Sequence, residues 1–179
     1  MPTVQTNRLT LRRWQPSDRE PFARLNSDPA VMEFMPAPLT QQESDLLADR
    51  IEAHFHQHKF GLWAAELRSN SAFIGFIGLS IPRFQAPFTP CVEIGWRLAS
   101  DYWGRGLVTE GACAVVYHAF HVLDLSSLVS FTSVANLRSR RVMEKIGMTH
   151  NPSEDFDHPN LPEHHPLRPH VLYRLSRSK

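Results

Sequence analysis

The segment Asp101-Tyr102-Trp103-Gly104-Arg105-Gly106 ends one periodic pattern and opens another. Before it, Val92, Ile94, Trp96 and Leu98 alternate with Glu93, Gly95, Arg97 and Ala99, the period of two that marks a strand. After it, Val108, Ala112, Val115 and Ala119 recur at helical spacing, flanked by Leu107, Gly111 and Ala114. A glycine-bearing turn that opens a helix leaves backbone N–H groups unpaired and aimed outward. With the positive end of the helix dipole, they suit a phosphate or pyrophosphate. Arg105 and the hydroxyl of Thr109 add contacts to such a site. No Gly-Lys-Ser/Thr follows at P-loop spacing, and GxGxxG is absent, so neither nucleotide fingerprint applies. On its residues alone, the turn also reads as an ordinary strand-to-helix connection.

Asn136 and Ser139 lie three apart at the start of a second helical stretch, hence on one face. Asn136 is a natural N-cap there. Glu93 reads equally as a general base and as a structural hydrogen-bonding carboxylate. Among the ten histidines, His54, His56 and His58 do not share a helical face, and His164-His165 are adjacent in a proline-rich stretch. With no HExxH or Cys/His spacing, no metal is expected. The four tryptophans read as core or wall residues.

The 179 residues suit a single domain spanning the whole chain, 1–179, with a full core. A net charge of +1 gives no electrostatic case for nucleic acid or a membrane surface. The two cysteines, Cys91 and Cys113, form no disulfide or zinc pattern, and Cys113 is expected to be a small buried hydrophobe. The start of the chain lacks an apolar signal segment and no run is long enough to cross a bilayer, so a cytoplasmic location is expected.

In chain order, 8–14 alternates as an edge-type strand, and Pro16-Ser17-Asp18 starts a helix to about Leu25, capped by Ser17 or Asp18. A short helix is expected over Ala30–Phe34. Thr40 and Glu43 form a capping box for a helix to about His56, with Leu46, Leu47, Ile51 and Phe55 inward. Strands at 60–67 and 72–80 form a hairpin, and Gly75 and Gly78 within the second predict a bulge or a close backbone approach. Strands follow at 91–99 and 127–134, with the long helix between them. A helix over 137–146 stops at Gly147, and strands follow at 148–150 and 170–175. Residues 152–169 show neither period.

"EIGWRLASDYWGRGLVTEG" followed by "SVANLRSRRVMEKIGM" resembles the two core motifs of the GNAT superfamily of N-acetyltransferases, in particular the RimJ/RimL type, the ribosomal-protein-alanine acetyltransferases and their relatives. The likeness runs from "TNRLTLRRW" to "HVLYRL". It implies an α+β fold of three αβα layers, with a mixed, mostly antiparallel twisted sheet of about six to seven strands. It implies that the strands at 91–99 and 127–134 splay apart to admit acetyl-CoA as cosubstrate. The pantetheine arm then pairs with the backbone of Trp96, Arg97 and Leu98. The pyrophosphate sits on the N–H groups of Gly104, Arg105, Gly106, Leu107, Val108 and Thr109. The family often writes this turn Gln/Arg-x-x-Gly-x-Gly/Ala, against which Trp103 and Val108 are departures. The resemblance further implies the Trp96 N–H as oxyanion donor, Asn136 on the pantetheine arm and Ser139 as proton donor to the thiolate.

The implied reaction is direct attack by a primary amine, a protein N-terminus or a small molecule, in a ternary complex. The base is Glu93, or Asp155, Asp157 or His158 from the tail, or water. The loops at 35–60, 81–90 and 152–169 set the acceptor. A homodimer is an option among relatives. The rival readings are a non-catalytic CoA-binding sensor or regulatory module on the same fold and, more distantly, a ligand-free interaction domain.

Overall fold

The computed structural model describes residues 3–177. Nine strands and four α-helices form three layers: β1 (Val4–Gln5), β2 (Leu9–Arg12), α1 (Arg19–Ser27), α2 (Gln41–His58), β3 (Leu62–Leu67), β4 (Phe73–Ser80), β5 (Glu93–Leu98), α3 (Leu107–His121), β6 (Ser127–Ser133), α4 (Leu137–Lys145), β7 (Thr149–His150), β8 (Phe156–Asp157) and β9 (Pro169–Ser176). The sheet order is β1-β2-β3-β4-β5-β6-β9-β7, with β8 added to β9. Every pair is antiparallel except β5 with β6. The fold class is thus the expected one. The two strands beyond the expected seven, β1 and β8, are two residues each, too short to leave a period in the sequence.

Adjacent residues of β4 show the layering. Phe76 meets Phe22 of α1 at 6.1 Å between ring centroids. Its neighbour Ile77 points the other way, where a methyl added to Gly111 of α3 would stand 2.5 Å from Ile77 Cδ1. Ile94 and Leu98 of β5 lie in the same core as Leu107, Ala112 and Val115 of α3. Gly75 and Gly78 behave as read: β4 bulges at Ile74 beside Gly75, and a Cβ on Gly78 would lie 2.2 Å from the Gly61 carbonyl.

Four expectations are corrected. Ala30–Phe34 is a run of turns, because the Asp28 carboxylate takes the Ala30 N–H and Met35 closes back onto Met32. Leu46 is exposed; the inner stripe of α2 is Ser44, Ala48, Ile51 and Phe55, and position 46 falls off it. Cys113 is exposed for the same reason, since the buried face of α3 runs through Ala112, Val115 and Ala119. Residues 152–169 contain a turn of 3-10 helix at Pro152–Glu154 as well as β8. The Thr40–Glu43 capping box is present, and Gly147 ends α4 at φ +86°.

Asp18 does more than start a helix. Its carboxylate, 2% exposed, accepts two bonds from the Arg12 guanidinium at 2.7 and 2.8 Å and one from the Gln15 N–H. Glu66 holds the Arg12 Nε at 2.6 Å. Breaking a buried pair leaves a desolvated charge behind. Asp18→Ala is therefore expected to cost about 3 kcal/mol in urea unfolding, with Glu66 keeping the loss at the low end of its class.

Candidate functional site

β5 and β6 share one register pair, Glu93 with Val129, where the Val129 N–H donates to the Val92 carbonyl at 2.9 Å. Beyond it the strands diverge. Backbone groups alternate sides along a strand, so those of Trp96 and Leu98 point, like Val92, toward the gap. Leu98 offers its carbonyl to the Trp103 indole at 2.8 Å. The Trp96 and Leu98 N–H groups are left along the edge.

The gap opens into a cavity of about 350 Å³. Trp96, Arg97, Leu98, Gly104, Gly106, Leu107, Val108, Thr109, Asn136 and Ser139 all line it, gathering ten residues named from sequence into one place. Arg105 is not among them. Its guanidinium sits 5.5 Å from the Tyr102 ring centroid, and its carbonyl accepts from Arg8. Glu93 does not line the cavity either. It lies on the face of β5 that it shares with Arg97, which itself lines the cavity.

The turn at 103–106 is built as an anion cradle. Gly106 is the N-cap of α3 in the left-handed conformation, φ +73°, with no side chain capping the helix. The N–H groups of Leu107, Val108 and Thr109 therefore begin the helix without intrahelical partners. Gly104 is also left-handed, φ +71°, and a Cβ there would meet nothing within 4 Å. Within this chain, backbone conformation rather than crowding asks for glycine at both positions. Arg8 fixes the cradle from β2's approach. It donates to the Arg105 carbonyl at 2.9 Å and to Glu110 of α3's first turn at 2.6 Å, while Thr6 donates to the same carboxylate. Sequence reading missed Arg8, whose partners lie about a hundred residues away.

It also missed the basic face of α4. Arg138, Arg141 and Lys145 line the cavity at helical spacing, a signal present in the sequence. Arg138 stacks on Trp103 at 4.5 Å and pairs with Glu33 at 2.5 Å, closing one side. Arg141 and Lys145 carry no ion pair among the described residues. The charge and the free donors at the α3 turn fit a diphosphate, and the strand edge fits an extended amide-bearing chain.

Asn136 is the N-cap of α4. Its Oδ1 accepts from the Ser139 N–H at 3.1 Å, and its Nδ2 donates to Thr132 at 3.0 Å. One amide hydrogen remains for a ligand. The capping and ligand-contact readings thus coexist at this residue.

The Glu93 carboxylate accepts from the Ser80 hydroxyl at 3.0 Å. Burial pushes its carboxyl up to about 7. Of the tail alternatives, Asp157 is held by Arg168 and Asp155 by His150. His158 sits among Phe84, Phe131 and Phe156, where burial holds its pKa below the ordinary value. No group of three or more metal-ligating side chains occurs among the described residues, and no helix there is long and apolar enough to cross a membrane.

Comparison with known proteins gives a consistent result. Residues 8–149 match the model of the acetyltransferase (GNAT) domain. The FsC-acetyl coenzyme A-N(2)-transacetylase of Aspergillus fumigatus is 31% identical over 83% of this chain and 66% of its own length, so the chain spans just under two thirds of that relative. An acetyltransferase from Agrobacterium tumefaciens str. C58 superposes with a TM-score of 0.79 at 29% identity, covering 99% of this chain and 95% of that one. A RimL ribosomal L7/L12 alpha-N-protein acetyltransferase in complex with coenzyme A shares the fold, with a TM-score of 0.78, 15% identity and 98% of each chain covered.

Proposed function

Because the chain belongs to the acetyltransferase (GNAT) domain family, we propose that it is an acetyl-CoA-dependent N-acetyltransferase acting on a primary amine in a ternary complex. The observation that carries the reading is the convergence, in one cavity, of a free strand edge at Trp96–Leu98 and an uncapped helix start at Gly106. Bound there, acetyl-CoA supplies an activated acetyl thioester. Trp96 and Leu98 hold its extended arm through their backbone. The N–H groups of 107–109, with Arg141 and Lys145, hold its phosphates.

Each residue then has a task at a stated atom. The Trp96 N–H stabilises negative charge that develops on the acyl oxygen only in the transition state. The Ser139 hydroxyl gives a proton to the departing sulfur. The Glu93 carboxylate takes the proton of the attacking amine, with a pKa suited to neutral pH. The likeness of the motifs to the RimJ/RimL type supports an acceptor that is a protein N-terminus or a small-molecule amine, handled in the cytoplasm.

Calorimetric titration with acetyl-CoA, followed by thiol release with a panel of primary amines, tests the reading. Binding with turnover supports it. Binding without transfer to any amine favours a CoA-binding regulatory module. No binding removes both. The basic face gives a second check: the double variant Arg141→Ala/Lys145→Ala is expected to weaken acetyl-CoA about tenfold at low salt and less at high salt, where exposed charges are screened.

A further inference from the structure

Arg97 is a cation without a counter-ion among the described residues. It leaves β5 on the same face as Glu93, and its Nη1 donates to Asn26 Oδ1 at 2.6 Å. Its Nη2 lies 3.2 Å from the Met35 sulfur, and the guanidinium sits 5.5 Å from the Phe76 ring centroid. Among the described residues no carboxylate pairs with it. A guanidinium carries five N–H donors, and among the described residues only Asn26 and Met35 accept from it. Burial pulls its pKa down to about 10.

The surroundings hold this arrangement in place. Asn26 is itself fully buried, and its Nδ2 donates to the buried Ser44 of α2 at 2.9 Å, which turns its Oδ1 toward Arg97. A half-buried charge with no carboxylate beside it is unfavourable, and a merely structural position here would be better filled by an apolar side chain. Arg97 also lines the cavity, together with Ala30, Val31, Phe34 and Met35 of the segment joining α1 to α2. The pyrophosphate cradle is a different part of the site, at the start of α3.

Between Arg97 and Glu93 on this face lies only Gly95. A Cβ on Gly95 would stand 3.6 Å from Glu93 Oε1, so the carboxylate leans over a floor that has no side chain. One end of that floor takes a proton; the other presents an unneutralised cation.

We propose that Arg97 is the carboxylate receptor of the acceptor site, so that the acceptor is an amine carrying a carboxylate. The inference rests on the acetyl-transfer reading. The reaction itself is unchanged: the amine nitrogen forms its bond to the acyl carbon, the carbon–sulfur bond breaks, and the carboxylate stays a carboxylate.

The test pairs L-methionine, L-phenylalanine and 4-aminobutyrate with their carboxamides, adds aspartyl-alanine amide, and reads thiol release. The wild type is expected to favour the acids by about 10- to 100-fold in kcat/KM. Arg97→Met is expected to bring that ratio to about 1, with acetyl-CoA affinity changed less than about threefold, and Arg97→Lys to keep part of it. A structural role alone would lower stability and all rates together and leave the ratio intact. Preference for aspartyl-alanine amide over the free acids also supports the receptor and assigns the carboxylate to a peptide side chain.

Three results overturn the proposal: carboxamides used as well as acids by the wild type, an acid preference that survives Arg97→Met, or a loss of acetyl-CoA affinity equal to the loss in acids. If no probe turns over, binding of the N-acetyl acids to the CoA complex decides, and their failure to bind overturns it. Failure of the wild type to bind acetyl-CoA strikes the functional reading instead.

Discussion

Gly106→Glu is expected to abolish acetyl-CoA binding, with at least about a hundredfold loss in a calorimetric titration. Two effects add. The residue sits at φ +73°, a conformation in which a side chain is strained by about 1 kcal/mol or more. The new carboxylate stands at the positive end of α3, where it satisfies the N–H groups of 107–109 from within the chain and repels a diphosphate. The fold should survive, because a Cβ at 106 has only Arg8 Nη2 nearby, at 3.7 Å. Gly106→Ala separates the two effects: it keeps the strain without the charge and is expected to bind more weakly than wild type but measurably. Equal affinity in wild type and the glutamate variant would place the phosphates elsewhere.

Glu93→Gln is expected to lower kcat/KM by about 10²- to 10⁴-fold, the range for a lost general base. The wild-type rate should rise with pH through an apparent pKa of about 7, and that limb should vanish in the variant. Stability moves the opposite way. The folded carboxyl holds its proton up to about 7, whereas the unfolded one releases it near the ordinary value of 4.5. The folded state is therefore favoured below about 4.5 and loses that advantage as pH rises to about 7, by about 3 kcal/mol in all. Glutamine cannot ionise, so the variant should be the more stable protein at pH 8 and show a flatter profile. A small change in rate, with the stability effect intact, would leave Glu93 as a buried structural acid bonded to Ser80.

How much of this was legible depended on distance along the chain. The alternation of 92–99 and the helical period from Leu107 are local, so the strand edge and the anion turn were both readable, and ten of the named residues meet in one cavity. The misreadings at Leu46 and Cys113 are errors of phase. Both residues lie in helices that were correctly expected, but off the buried stripe, Leu46 midway between Ser44 and Ala48 and Cys113 next to Ala112, and nearby apolar residues blur that stripe in the sequence. Arg97 was named for its backbone, yet its side chain answers to Asn26 and Met35, 71 and 62 positions away. Arg8 likewise matters only through Arg105 and Glu110. No periodicity reports such partners; they follow from which strands become neighbours.

The single bridge between Glu93 and Val129 has a further cost that concerns solubility rather than catalysis. Past that bridge the sheet has two internal borders of unpaired backbone, and an unpaired border is a template for any extended segment that reaches it. An arm lying against Trp96 and Leu98 occupies one of those borders. The ligand-free protein is thus the form exposed to strand addition from a neighbouring chain, and the occupied form is guarded against it. Aggregation during concentration or storage should slow with ligand present even when no acceptor is supplied and no turnover occurs.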